Sequence, residues 1–418
     1  MEFIIVKGKC KLKGEVKVSG SKNSALPILA SSLLSDKEFR LSNVPKLVDV
    51  VTMINLIQSL GAEYKFNKDK LILKTNKLKS SRADYELVRK MRASFLVLGP
   101  LLARRGYAEV SLPGGCAIGS RPVDLHLYAM QKLGATIDFH DGYVIAKVGK
   151  KGLKGEKINF SKVSVGATEN AIIAASLAKG ETVIHNAAKE PEIIDLCECL
   201  VSMGAIIEGI GKSSIYIQGV SSFSDNNHKI IEDRIEACTY VIAAAITKSD
   251  LKIQNVNNSH IKTFLKVMRD MGLNFSFKDN QLLIKPINKL DPIKIKTEEY
   301  PGFPTDMQAQ LMTLACTSNG QSEIEENIFE NRFMHVPELN RLGADIKISG
   351  SKAIIEGNRK FIGAEVMATD LRASVSLILA ALIAKGSTKI NRIYHLDRGY
   401  EKIDKKLSSC GANIIRGR

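Results

Sequence analysis

One short signal recurs six times along the chain at a nearly constant interval. A helix-like stretch ends in Leu-Gly-Ala or a close variant at Leu60-Gly61-Ala62, Leu133-Gly134-Ala135, Met203-Gly204-Ala205, Met271-Gly272-Leu273, Leu342-Gly343-Ala344 and Cys410-Gly411-Ala412. The glycines are 73, 70, 68, 71 and 68 residues apart. Each suits the position just past a helix C-terminus, and an alternating, strand-like run such as Lys70-Leu71-Ile72-Leu73-Lys74 follows. A second signal keeps the same period: an apolar helix runs into a small turn at Leu101–Gly106, Leu177–Gly180, Ile246–Asp250, Ala315–Gly320 and Ile383–Gly386, with a degenerate first copy at Leu33–Asp36. Periods this long normally mark solenoids or propellers. Units that each carry two helices and several strands predict instead an α/β protein of two domains, each built from three repeated βαβαββ-type units, with helices inside and sheets outside.

Length agrees, because one hydrophobic core stops growing near 250–300 residues and 418 residues allow two domains or three at most. No run approaches the roughly 18 apolar residues that span a bilayer; the longest, Val375–Ala384, follows closely on Arg372. The start, Met1-Glu2-Phe3, carries no basic region followed by an apolar core, so the expectation is a soluble cytoplasmic protein without membrane insertion. Seven cysteines, an odd number without a Cys-x-x-Cys, argue against a disulfide framework. Seven histidines without ligand spacing argue against a histidine-based metal site, and neither metal nor organic cofactor is expected.

The net charge of +16 fits either an attraction for anionic partners or lysines spread over solvated faces. Aromatic residues are 6% and are not interleaved with the basic runs, so no stacking platform for nucleic acid is evident. The run Gly209-Ile210-Gly211-Lys212-Ser213-Ser214 is not a phosphate-binding P-loop, because Ile206 stands where the first glycine is required. The repeat places it in a hairpin turn.

The helix that opens each unit begins with polar residues in every copy: Ser21-Lys22-Asn23, Arg92-Ala93-Ser94, Gly166–Glu169, Asp233–Glu236, Pro304-Thr305-Asp306 and Thr369–Arg372. Such residues are often caps. With threefold pseudo-symmetry in each domain, and the two domains facing each other, six helix starts would converge on one cleft suited to multiply anionic ligands.

The most unusual segment is Leu112–His126, with three glycines and two prolines within eleven residues. It reads as an exposed loop, and a thiol between Gly115 and Ala117, five residues from Arg121, is placed for chemistry rather than for packing. With this loop in view, the chain resembles the UDP-N-acetylglucosamine 1-carboxyvinyltransferases of the enolpyruvyl transferase family. The resemblance runs from Ser19–Ser24 through Met91–Ser94, Pro113–His126, Lys162–Thr168, Ala188–Glu192, Asp233–Glu236, Pro301–Gln310, Glu330–Glu338 and Ala368–Arg372 to Asp397–Glu401.

The resemblance implies the inside-out fold of two α/β barrels, with residues 21–230 as the first domain, 1–20 plus 231–418 as the second, and the active site between them. It implies phosphoenolpyruvate and UDP-N-acetylglucosamine as substrates and no oligomeric state. It assigns Cys116 as the general acid and the target of the epoxide fosfomycin. Lys22, Arg92, Arg121, Arg372 and Arg398 are matched to the carboxylate and phosphate, with the alternative that Arg372 only supports Asp370. Asp306 is matched to the sugar hydroxyl as base or orienting group, at a helix N-terminus, and Asn23 to the sugar. Arg121, Pro122, Val123, Asp124 and Leu125, with Lys162, Val163, Ser164, Val165 and Gly166 and with Ile328, are matched to the nucleotide and diphosphate. Asp370 and Leu371 complete the substrate-binding set. Three alternatives stand beside this reading: a 5-enolpyruvylshikimate 3-phosphate synthase, which shares fold and donor; a basic RNA-binding or RNA-processing protein on a related repeat; and an inactive regulatory paralogue.

Overall fold

The computed structural model describes residues 2–113 and 123–417, so Cys116, Arg121 and Pro122 lie outside it. The described strands form six four-stranded sheets, and the second repeat shows the plan. Strand Arg82–Ala83 leads into helix Leu98–Arg105, strand Tyr107–Ser111, helix Asp124–Lys132 and the hairpin Thr136–His140 with Tyr143–Lys147. The leading strand pairs parallel with the next, and every other pairing is antiparallel. The Gly209–Ser214 stretch joins strands Ile206–Glu208 and Ser214–Gln218, which pair as an antiparallel hairpin.

Two compact units result, one from residues 20–113 with 123–231, the other from 2–19 with 232–417. In the first, the missing leading strand of the first repeat is supplied from the far end, where Asn226–Lys229 runs parallel to Glu38–Ser42. In the second, Lys13–Lys17 leads the fourth repeat beside Asp250–Gln254, and Phe3–Lys7 fills the last place of the sixth, between Ser387–Asn391 and Asn413–Gly417. Gly20 and Ile231 belong to the middle unit, one residue outside the expected limits at each end. The reason is local: Ser21 N donates to Ile231 O at 2.7 Å, and Gly20 lies so close to Asn43 that a Cβ would stand 1.8 Å from its carbonyl oxygen.

The recurring glycines take the backbone that the period predicts. Gly61, Gly134, Gly204, Gly272, Gly343 and Gly411 have φ of 121, 97, 107, 93, 100 and 100°, a region that side chains with a Cβ rarely enter. Each follows an outer helix and turns the chain into the hairpin.

The inner helices are Lys22–Ser31, Leu98–Arg105, Val165–Ala175, Arg234–Ile246, Gln308–Ala315 and Leu371–Ile383. They are buried around almost their whole circumference; in Arg234–Ile246 every residue from Ile235 onward is buried. Their sequences accordingly lack a polar stripe, and runs such as Ala243-Ala244-Ala245 let neighbouring helices approach. Each unit keeps its own core. Two helix hydroxyls inside it are satisfied on their own helix, with Thr239 Oγ1 donating to Ile235 O at 2.8 Å and Thr313 Oγ1 to Ala309 O at 3.0 Å.

A polar contact pins the middle unit's helices to one another. Gly99 N donates to Asn170 Oδ1 at 2.8 Å, and a Cβ on Gly99 would sit 2.3 Å from that oxygen. Asn170 Nδ2 donates to Phe95 O at 3.3 Å and to His126 Nδ1 at 3.1 Å, which leaves the ring hydrogen of His126 on Nε2. The ring stands edge-on to Phe95 at 5.4 Å. Burial, and then the neighbouring charge of Arg92, push the His126 pKa from 6.5 down to about 3. Between these two values the unfolded chain takes up a proton that the folded chain excludes, so His126 removes stability as pH falls from 6.5 towards 3. His126→Gln should therefore unfold with a stability slope shallower by about 1.4 kcal/mol per pH unit below pH ~6. Thermal unfolding of both proteins across mildly acidic pH measures the difference, and parallel slopes would contradict a neutral buried ring.

Candidate active site

Helix starts carry the polar residues, and two kinds of start occur. Ser21 accepts from Ser24 N at 3.3 Å and Ser164 from Ala167 N at 3.3 Å. Asp233 accepts from Ile235 N and Glu236 N at 2.9 and 3.0 Å, and Asp370 from Arg372 N and Ala373 N at 2.8 and 3.1 Å. The remaining two inner helices open through 3₁₀ turns, Arg92–Val97 and Thr305–Met307, without a side-chain cap. Ser164 and Asp370 thus use side-chain oxygen on their own helix. Asp306 lies in such a turn ahead of its α-helix, where the dipole is weaker than an α-helical start would give.

In the middle unit, Lys22 is the first residue of its helix, and its Nζ stands 3.4 Å from Asp49 Oδ2. Asp49 is buried in the first turn of the outer helix Val48–Ser59. Asn23 follows Lys22, part exposed, and Arg92 opens the adjacent 3₁₀ turn. Asp124 is exposed on the first turn of Asp124–Lys132, whereas Val123 and Leu125 turn their side chains into the core. What those two offer a ligand is backbone. Lys162 is exposed and Val163–Gly166 part exposed at the start of Val165–Ala175. Gly166 faces His126, whose ring would meet a Cβ there at 3.1 Å.

In the other unit the predicted residues form a charged network. Asp306 Oδ1 accepts from Arg332 Nη2 and Oδ2 from Arg372 Nη2, both at 2.6 Å. The Asp306 side chain keeps 26% exposure, while Arg332 and Arg372 keep 4% and 7%. Burial works against the Arg372 charge, but the carboxylate of Asp306, with Tyr400 and Asp233, outweighs it and raises its pKa further. Arg372 therefore pairs with Asp306 rather than supporting Asp370, because its guanidinium reaches across to the neighbouring repeat while Asp370 binds backbone amides. Arg372 Nη1 also donates to Tyr400 Oη at 3.3 Å, and Tyr400 Oη meets Thr239 Oγ1 at 3.0 Å and Gln310 Nε2 at 3.3 Å. Arg398 ends the 3₁₀ turn Ile393–Arg398, part exposed, and Gly399 beyond it packs under Leu371, where a Cβ would lie 2.6 Å from Cδ1. Ile328 is part exposed, its amide donating to Glu326 Oε1 at 2.9 Å.

Sequence reading missed Asp49, Glu326, Arg332 and Tyr400. Arg332 and Tyr400 stand inside matched motifs, but nothing in a linear spacing tells which partner a side chain reaches. Each unit thus presents cations at its helix starts, and one presents a carboxylate clamped by two guanidinium groups. Such groups hold planar or tetrahedral anions by paired charge-assisted bonds.

Comparison with known proteins agrees with this chemistry. The family model described as EPSP synthase (3-phosphoshikimate 1-carboxyvinyltransferase) matches residues 6–407. A UDP-N-acetylglucosamine 1-carboxyvinyltransferase of Campylobacter hominis is 53% identical over 421 residues, covering 100% of this chain and 99% of that protein. One of Pelagibacter ubique is 55% identical over 416 residues, covering 100% of both. Among solved structures, the enolpyruvyl transferase NikO of Streptomyces tendae superposes with a TM-score of 0.90 at 23% identity, over 99% of this chain and 98% of that one. EPSP synthase of Acinetobacter baumannii superposes with a TM-score of 0.77 at 17% identity over 100% of both chains. These two likenesses carry the fold. Given the nearly full-length family match and relatives more than half identical, the chain belongs to the EPSP synthase family of enolpyruvyl transferases.

Proposed function

We propose that the protein transfers the enolpyruvyl group of phosphoenolpyruvate to the 3′-hydroxyl of UDP-N-acetylglucosamine, releasing phosphate, as the first committed step of peptidoglycan synthesis. The observation that carries this reading is the 53–55% identity, along the whole chain, to proteins named for that transfer. The shikimate-directed neighbour is 17% identical.

The reaction is addition followed by elimination. The sugar oxygen bonds to the enol carbon of phosphoenolpyruvate as its hydroxyl proton passes towards Asp306, while Cys116 gives a proton to the methylene carbon. That carbon then loses a proton, the bond to the phosphate oxygen breaks, and phosphate leaves. Lys22, Arg92, Arg121, Arg372 and Arg398 hold carboxylate and phosphate, Lys22 from a helix start that favours anions. Asn23 meets the sugar, and residues 121–125, 162–166 and Ile328 meet the nucleotide and diphosphate. Asp306 has arginine on both oxygens, which suits a group that orients the hydroxyl. Each oxygen keeps acceptor capacity beyond its one guanidinium bond, so Asp306 can also take the proton, more readily if Arg372 turns to the bound phosphoenolpyruvate.

Among the described residues no helix is long and apolar enough to cross a membrane. Both substrates are water-soluble phosphate esters, which supports a cytoplasmic reaction.

Purified protein with phosphoenolpyruvate and UDP-N-acetylglucosamine should release inorganic phosphate, and none with shikimate 3-phosphate as acceptor. Release with shikimate 3-phosphate alone would overturn the acceptor, and no release with either would overturn the reaction. Peptide mass spectrometry after fosfomycin treatment should find the adduct on Cys116. Cys197, Cys199, Cys238 and Cys316 are buried, and burial raises each thiol away from the reactive thiolate. Labelling at any of these four instead of Cys116 would refute the assignment.

A further inference from the structure

Glu326 is a buried residue that none of the site motifs explains. Its Oε1 accepts from Thr297 Oγ1 at 2.9 Å, Ile328 N at 2.9 Å and Phe329 N at 3.1 Å. Its Oε2 accepts from Thr305 Oγ1 at 2.9 Å. All four partners donate, so the side chain acts here purely as an acceptor. Burying such a group is costly unless each oxygen is satisfied, and satisfied groups of this kind fix the segments that supply the donors.

Those segments are the ones matched to the acceptor substrate. Thr305 is the neighbour of Asp306 in the same 3₁₀ turn. Ile328 is the residue matched to the nucleotide, and Phe329 follows it. A second route leads back to Asp306: the Arg332 guanidinium lies over the Phe329 ring, 5.5 Å from its centre, and the same guanidinium binds Asp306 Oδ1. Glu326 thus meets the Asp306 turn from one side through a hydroxyl, and from the other through a backbone amide, a ring and an arginine. Thr297, wholly buried, anchors it further, its Oγ1 accepting from Asn327 N at 2.9 Å while donating to Glu326.

We propose that Glu326 is a positioning residue for the acceptor: one carboxylate sets the register between the Asp306 turn, which aims at the sugar hydroxyl, and the Ile328 backbone, which meets the nucleotide. The proposal rests on the reading above that this site takes UDP-N-acetylglucosamine. It makes the two arms separable. Loss of the amide arm loosens nucleotide binding, and loss of the Thr305 arm loosens the aim of Asp306.

Steady-state constants from phosphate release, normalised to sites titrated calorimetrically with UDP-N-acetylglucosamine, test it in the intact protein. Glu326→Ala should raise KM for the UDP-sugar and lower kcat, each by roughly tenfold or more, with KM for phosphoenolpyruvate within about twofold of wild type. Thr305→Val should lower kcat by about tenfold and leave KM for the UDP-sugar within about twofold. Glu326→Gln keeps an oxygen for the amides and presents an NH₂ to Thr305, whose hydroxyl can turn to accept it. It should therefore restore most of the KM lost in Glu326→Ala. Should Glu326→Ala fail to fold, Thr305→Val and Glu326→Gln decide alone. Wild-type constants in Thr305→Val, or a change that falls equally on both substrates, would overturn the proposal. A wild-type protein that releases no phosphate with the UDP-sugar would remove the reading beneath it, an outcome seen before any variant is compared.

Discussion

Burial of the inner helices on every side is the constraint from which the rest of the structure follows. A helix surrounded by protein has no solvent face on which to carry polar side chains. Its body becomes small and apolar, as in Ala237–Ile246 and Val375–Leu382, where Ser376 is the one polar residue of the second run. Most polar chemistry gathers at its ends, and residues inside the body such as Asn170, Thr239 and Gln310 are hydrogen-bonded to neighbouring elements. Hydroxyls inside the body return to carbonyls one turn earlier, and unpaired amides at the N-terminus need an oxygen from a cap or a ligand. The candidate functional residues gather at these starts, where amides left over by the helix can face a ligand.

Within one unit that logic produces a carboxylate between two buried arginines. Asp233 adds a further negative charge that favours the Arg372 guanidinium. Tyr400, Thr239 and Gln310 give the Arg372 end a polar environment. On the proposed reading, an anion bound beside Arg372 competes with Asp306 for that guanidinium, which couples binding of phosphoenolpyruvate to the group that meets the hydroxyl.

The six-unit plan was legible because each repeat needs a residue with positive φ after its outer helix, and glycine marks it in all six. The helix starts were legible because polar residues interrupt apolar runs there. Other parts left no trace in a linear reading. Asn226–Lys229 reads Asn-Asn-His-Lys, with no alternation, and becomes a strand only because Glu38–Ser42 offers it a parallel edge. Arg82–Ala83 is too short for any periodicity. Arg332 and Arg372 reach Asp306 across 26 and 66 residues, and Glu326 reaches Thr297 and Thr305 across 29 and 21. Such partnerships are set by how repeats pack, which spacing within one repeat does not encode. The motifs mark segments, and the structure supplies the wiring between them.

The central claim is an addition and elimination at the enol of phosphoenolpyruvate, and isotope transfer from solvent tests it most directly. The reaction with UDP-N-acetylglucosamine would be run in deuterium oxide and the nucleotide product analysed by proton NMR and mass spectrometry. Passage through an intermediate whose methylene carbon has become a methyl predicts an enolpyruvyl ether with deuterium in its vinyl group. A product whose vinyl hydrogens all come from phosphoenolpyruvate, or labelled pyruvate with the UDP-sugar unchanged, would contradict it.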